Sequence, residues 1–246
     1  MQQDFINYLE SNKIAVVKYF ENDMRNLKKI SDEMVIEHID IIVEFQNRVR
    51  GYNGYMNNRI NNNTGKLVEK YKVDLKKVKK AVTSLKTSVG KNQIEDLILS
   101  NSDYNIKKAE ESINNIQKLN YTGLLMRSMK NEEVCLGRTY FDNLRKNETI
   151  EIIDADKCCY DMVETDIIYL FEKLLRKNID LNYNGLIRYF CDKADLGQDS
   201  CEFIKSSLGY PEYYFKYLLR YSCNNFQGKN IMKKIKKSCS CANNLL

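Results

Sequence analysis

Two stretches decide how this chain reads: CLGRTYFDNL at residues 135–144 and ETIEIIDADKCCYD at 148–161. In the second, Ile150, Ile152 and Ile153 make a β-branched run that leads straight into Asp154. Such a run is the sequence signature of a strand, and it is the one convincing strand signal in the chain. Around it lie Asp142, Asn143, Asp156, Asp161 and, a few residues on, Asp166. Carboxylate and amide oxygens at a strand end are hard donors suited to a magnesium ion. An Asp at a strand end and an Asn in a loop also cap turns, so the residue types alone leave both roles open.

Outward from this point the pattern is helical. Only one proline, Pro211, interrupts the 246 residues, a length sufficient for one large domain. Residues 5–9 and 14–27 read as opening helices, the second through Val16, Val17, Phe20, Met24 and Leu27. Ser31 before Asp32 and Glu33 suits a helix start, since the hydroxyl can accept a free N–H and the acids complement the dipole. That helix runs through Ile39, Ile42, Val43 and Phe45 to about Val49, and His38 on it reads as a surface or boundary residue. Residues 51–65 form a Gly- and Asn-rich connector without a phosphate-loop motif. Residues 66–91 follow as an amphipathic helix with Tyr71, Val78 and Val82 in phase, then helices over 93–99 and 103–119. In the second half 166–177, 184–192, 199–207 and 212–221 read as helices. Tyr210, Tyr213, Tyr214, Phe215, Tyr217 and Tyr221 there form an aromatic stripe expected to be buried.

Composition excludes several classes. No apolar run approaches the roughly 20 residues that span a bilayer, and the first residues lack the regions of a signal peptide, so synthesis in the cytosol is expected. Eight cysteines with a C-x-C at Cys239 and Cys241, adjacent Cys158 and Cys159, but no C-x-x-C, and a single histidine, argue against structural zinc and against His-based catalysis. The tail pair is expected to be exposed and Cys135 buried. Net charge is +6, carried mainly by residues 66–91 and 229–237. Lysine runs of this kind are usually solvated faces, and arginines and aromatics do not interleave as nucleic-acid binding requires.

Taken together at their spacing, the two stretches resemble the catalytic core of aminoglycoside and choline phosphotransferases, and most closely the CotS-like spore coat proteins. That family shows C-H-G-D-Y-T-Y-H-N-L, a short hairpin, then I-D-F-D-x-C-x-x-D and a further Asp. Here the first block is Cys135 to Leu144, and the second begins at Ile153 and Asp154 and continues to Asp161 and Asp166. Downstream, GYPEYYFKYLLRYSCNNF is similar to the family's L-F-P-E-K-F-W-x-x-x-x-R-Y-Y-like segment, and upstream IIVEFQNRVRGY stands where the family has its L-A-x-F-H helix. The resemblance covers roughly residues 34 to 237.

The resemblance implies a mainly α fold, the C-terminal lobe of a protein-kinase-like (aminoglycoside phosphotransferase-like) fold, with a small β hairpin near 144–153 and an N-lobe absent or reduced to helices. It divides the chain into an N-terminal helical extension (1–33), the helical lobe (34–228) and a basic, Cys-containing tail (229–246). Asn143 and Asp154 match the family's metal ligands, while Arg138 stands at the catalytic Asp position and Leu136 replaces a histidine. Phosphoryl transfer needs an acid to orient the accepting hydroxyl, and an always-charged guanidinium cannot accept a proton. Asp142 is the one candidate substitute, and it would have to move. Asp156, Asp161 and Asp166 read as structural, Asp166 capping a helix and supporting the loop as in the family. Arg138 is expected to pair with Asp154 or Asp156, by several kcal/mol at about 4 Å and an effective dielectric of about 20.

The function implied is a noncatalytic, pseudokinase-like spore coat protein made in the mother cell, with other coat proteins or its own copies as partners. No cofactor is expected; Mg2+ and ATP would belong to it only if the site still worked. One alternative is an active small-molecule phosphotransferase with a displaced base. Another is a basic peripheral protein on anionic surfaces.

Overall fold

In the computed structural model, which describes residues 3–20, 30–54, 60–87, 92–223 and 232–236, the chain is mainly helical. It runs α1 (Gln3–Ser11), β1 (Ile14–Val16), α2 (Asp32–Val49), β2 (Asn61–Asn62), α3 (Lys66–Thr87), α4 (Gln93–Lys118) and α5 (Tyr121–Lys130). Then follow β3 (Val134–Cys135), β4 (Leu144–Lys146), β5 (Ile150–Ile152), β6 (Cys159–Tyr160), α6 (Glu164–Arg176), α7 (Tyr183–Lys193), α8 (Gln198–Gly209) and α9 (Glu212–Ser222). By compactness it divides into two units, Met1–Gly65 with Asn120–Ile204, and Lys66–Leu119 with Lys205–Leu246.

In the first unit the isoleucine run is β5, paired antiparallel with β4 in the hairpin expected from the sequence, Leu144 opposite Ile152. The β1 strand corrects the helix expected from residue 14. Ile14–Val16 lies parallel to β5, Ile14 beside Ile150, and Val17 N–H continues the ladder to the Ile152 carbonyl at 2.8 Å. The reason is local: Lys13 turns to φ 58° and ends α1, and Ile-Ala-Val then fits the open edge of the hairpin better than a helix. Residues 17–20 of that expected helix are not helical either, and residues 21–27 lie outside the described residues. A second sheet, in the order β2-β6-β3, was not foreseen, because strands of two residues leave no periodicity. Ser31 caps α2 as expected, accepting from Met34 N–H at 3.4 Å. The core of this unit joins Val35, Ile39, Ile42 and Phe45 of α2, Ile150 and Ile152, Leu170, Phe171 and Leu174 of α6, and Phe190 of α7, all buried.

In the second unit α9 and the turn before it carry the aromatic stripe, of which Tyr210, Tyr214 and Phe215 are buried against α3 and α4 while Tyr213, Tyr217 and Tyr221 are only partly covered. Tyr210 stacks on Tyr71 with ring centres 3.9 Å apart, and Tyr214 donates to the Ile98 carbonyl at 2.6 Å. The two helices expected over 93–119 are one: Asn101 and Ser102 bond back to Leu97 and Leu99 carbonyls, which lets polar residues remain inside the helix without ending it. An Asn92–Glu95 capping box starts it.

Candidate functional site

The loop between β3 and β4 is built around one buried carboxylate. Asp166 sits in the first turn of α6 with no exposure. It accepts N–H bonds from Leu136 (3.1 Å), Gly137 (2.8 Å) and the Gln46 amide (3.0 Å). The expectation that it caps its own helix is not met: its side chain points to the loop, and Val163, at the N-cap of α6, makes no side-chain cap. Gly137 adopts φ 73°, and a Cβ there would lie 2.6 Å from the Lys157 carbonyl oxygen, so the close approach of loop and β5–β6 connection needs glycine. Burial raises the Asp166 carboxyl to about 6, against the pull of its donors.

His38 supports the loop from α2. Contrary to the surface position expected, it is 3% exposed, lies 4.2 Å from the Phe141 ring, and its Nε2 is 2.6 Å from the Thr139 carbonyl. A carbonyl only accepts, so Nε2 carries the proton, and burial holds the ring neutral, its pKa lowered to about 4. Thr139 in turn donates to the Asp166 carbonyl at 2.7 Å. The sequence hid this because the neighbours of His38, Glu37 and Asp40, are polar, whereas the helical phase of Val35, Ile39 and Ile42 turns it inward.

Arg138 and Asp154 meet. Arg138 Nη1 donates to Asp154 Oδ2, while Asp154 Oδ1 accepts from Asp156 N–H at 2.7 Å. Asn143, buried, fastens the same turn with both ends of its amide. Nδ2 donates to the carbonyls of Arg138 (2.8 Å) and Asp154 (2.9 Å), and Oδ1 accepts from Asp154 N–H at 2.7 Å. Arg138 is 40% and Asp154 27% exposed, so solvent screens the pair. Its worth is on the order of 1 kcal/mol, less than the several expected for a buried one. Asp142 is paired with Lys173 at 3.2 Å, and Lys173 also lies over the Tyr140 ring. Asp161 is buried and accepts from Met162 N–H. Leu136 is fully buried.

A magnesium ion does not fit these donors as they stand. Asp154 spends one oxygen on a guanidinium and the other on a backbone N–H, Asn143 spends its oxygen on Asp154 N–H, and a cation would sit against a fixed positive charge. No group of three or more His, Cys, Asp or Glu side chains placed to hold a metal ion is found among the described residues. Asp142, the acid weighed as a substitute base, is tied to Lys173, whereas Asp156 meets the turn through its backbone N–H and its side chain is exposed.

A second polar centre, not foreseen from the sequence, lies behind β3. Arg127 of α5 bonds Glu133 at 2.9 and 3.2 Å, Glu164 at 2.9 and 2.8 Å, and Ser200 at 3.1 Å. Both glutamates are buried. Burial works against the Arg127 charge, but Glu164 and Glu133 outweigh it and raise its pKa. The three residues are 6 and 31 positions apart, and nothing in spacing marks them.

No protein-family model matches the sequence, and no curated protein does. Among solved structures, the fold is similar to an aminoglycoside phosphotransferase from Alicyclobacillus acidocaldarius subsp. acidocaldarius, with a TM-score of 0.69 and 12% identity over 87% of this chain. The chain spans 63% of that protein's length. The fold is thus of the kinase-like phosphotransferase kind. No described helix is long and apolar enough to cross a membrane.

Proposed function

We propose that this chain is a noncatalytic member of the kinase-like phosphotransferase fold, serving a structural or binding role, with the spore coat as its destination. The observation that carries the noncatalytic reading is the Arg138–Asp154 pair. A permanent cation stands where the resemblance places the proton acceptor, and it occupies the oxygen the resemblance assigns to metal. The coat destination is supported by the likeness of residues 135–144 and 153–166 to the CotS-like blocks, and the partners that follow are coat proteins or further copies of this chain.

Calorimetric titration of Mg2+-ATP into the wild type and into Arg138→Asp tests the reading. The wild type should show no binding tighter than millimolar, and the substitution should raise Mg2+ affinity at least tenfold by freeing Asp154 and adding a carboxylate. Micromolar binding by the wild type, release of phosphate from ATP, or no gain on substitution would overturn it. Coat localisation is tested separately, by immunogold labelling of spores of a spore-forming bacterium that expresses the chain. Label confined to the spore core would rule it out.

A further inference from the structure

Within the first unit a groove of about 210 Å³ opens between the end of α5 and the β2–β6 pair, lined by Ser128, Met129 and Glu132 from the one and by Asn62, Thr64 and Tyr160 from the other. It shares no residue with the Arg138 loop. The turn that shapes it departs from a local rule. Helix α5 ends in a Schellman motif: Glu133 N–H bonds the Ser128 carbonyl at 3.0 Å and Glu132 N–H bonds the Met129 carbonyl at 3.3 Å. The left-handed residue of this motif is ordinarily glycine, yet here it is Glu132, at φ 47°. A side chain kept against its own backbone preference points to a use for that side chain.

The groove wall holds an unused polar group. Ser128 is 2% exposed, and its hydroxyl makes no hydrogen bond among the described residues, whereas buried side chains of this kind are ordinarily bonded. The charge around it is negative. A single Arg127 faces both Glu133 and Glu164, which leaves one negative charge over, and Glu132 adds another. Lys130, two residues back, and Arg50, whose neighbour Gly51 donates to the Glu132 carbonyl at 3.2 Å, make no ion pair with Glu132 among the described residues. An acidic groove with a free hydroxyl asks for a cation that donates hydrogen bonds. The rim, by contrast, is apolar: Met126 and Met129, three residues apart and so on one face of α5, are 66% and 65% exposed. Flexible thioethers of this kind adapt to the stem of a ligand. The volume falls below the roughly 300–1,000 Å³ of a site for a drug-sized molecule, which leaves room for one side chain.

We propose that this groove is a docking site for a lysine side chain of a partner protein. The ammonium donates to the Glu132 carboxylate and to Ser128 Oγ, and the methylene stem lies along Met129. An ammonium suits the groove better than a guanidinium, because the acceptors come singly from separate residues and not as the coplanar pair that an arginine fork bridges. The partner is a protein and not a free amine, because the exposed Met126 lies outside the groove lining, and only a ligand that continues past the groove covers it. The inference does not depend on what the Arg138 loop does.

The methionine methyl groups report on it directly. The full-length chain, labelled with carbon-13 at its methionine methyls, is titrated by NMR with a capped peptide of lysine between two leucines, and with the same peptide carrying norleucine or arginine instead. The Met129 and Met126 signals, identified through Met129→Leu and Met126→Leu, should move saturably with the lysine peptide, at the millimolar affinity expected of a single side chain, and less with the other two. Glu132→Gln and Ser128→Ala should each weaken binding, the first about tenfold through loss of a charge-assisted bond. Glu132→Gly relieves the left-handed turn, so it should melt a few degrees higher than wild type and yet lose the lysine preference. The proposal is overturned if the norleucine or arginine peptide binds as well as the lysine one, if the two signals stay fixed at about 10 mM peptide, or if Glu132→Gly binds like wild type. Tighter binding of 1,5-diaminopentane than of the peptide would give the groove to a free amine and overturn the protein partner.

Discussion

Replacing Asp166 by asparagine asks whether the carboxylate under the loop is strained by burial or held by its donors. Burial raises its carboxyl to about 6, while Gln46, Gly137 and Leu136 draw it down. An unfolded aspartate titrates near 3.9. Between about pH 4 and 6 the folded chain therefore keeps a proton that the unfolded chain has released. Stability falls as pH rises through that window and is level above it. At 1.36 kcal/mol per pKa unit, the loss is about 3 kcal/mol at most. Asparagine does not ionise, so it escapes this loss. Its amide offers one accepting oxygen in place of two, however, and Asp166 uses both, Oδ2 toward Leu136 and Gln46 and Oδ1 toward Gly137. At least one buried donor then faces an NH2 group, which costs about 1–3 kcal/mol. Asp166→Asn should thus be less stable than wild type by about 1–3 kcal/mol near pH 4, and the deficit should close or reverse by pH 7. Urea unfolding of both proteins across this range measures it, and titrations shared by the two cancel in the difference. A deficit that grows with pH would mean that the donors outweigh burial, and the reasoning would be refuted.

Three further outcomes follow from the same geometry. His38 is held neutral to about 4 in the folded chain and takes a proton near 6.5 when unfolded, so stability is lost as pH falls from about 6.5 to 4, by about 3 kcal/mol. His38→Phe, which keeps a ring on Phe141 but leaves the Thr139 carbonyl unbonded, should be about 1–3 kcal/mol less stable at pH 7, with the gap narrowing at pH 5 in thermal melts. Arg127→Met leaves Glu133 and Glu164 buried without their cation and should cost about 3–5 kcal/mol at pH 7; a loss under about 1 kcal/mol in denaturant titration would show that water reaches the glutamates. Gly137→Ala should cost at least about 2 kcal/mol, from the left-handed conformation and the contact with the Lys157 carbonyl, and equal melting midpoints would contradict the close approach.

What could be read in the sequence was what repeats along it. The helices of the second half follow from apolar spacing such as Ile167, Leu170, Phe171 and Leu174, and the hairpin from three isoleucines beside an acid. The Ile14–Val16 strand could not be read, because four β-branched and small residues before Phe20 suit a helix face as well as a strand, and the partner that decides between them lies more than a hundred residues away in β5. The burial of His38 was recoverable from its place in the phase of α2, but its polar neighbours argued the other way. The Arg127 centre depends on Glu164 and Ser200 arriving from 37 and 73 residues away, and Glu133 alone, six residues on, marks nothing.

The loop separates support from chemistry. Its backbone is held by Asp166 at Leu136 and Gly137, by His38 at Thr139, and by Asn143 at Arg138 and Asp154. Each of these bonds ends on main-chain atoms, so the residue at position 138 contributes only its carbonyl. Its side chain points outward, 40% exposed, and can change from acid to base with little effect on the cage that positions it. A change there is therefore cheap in stability, on the order of 1 kcal/mol for the screened pair, and on the proposed reading it decides whether the turn at Asp154 faces a proton acceptor or a fixed cation. On the proposed noncatalytic reading, the cage would keep the geometry of the loop whichever side chain position 138 presents, because none of its bonds uses that side chain.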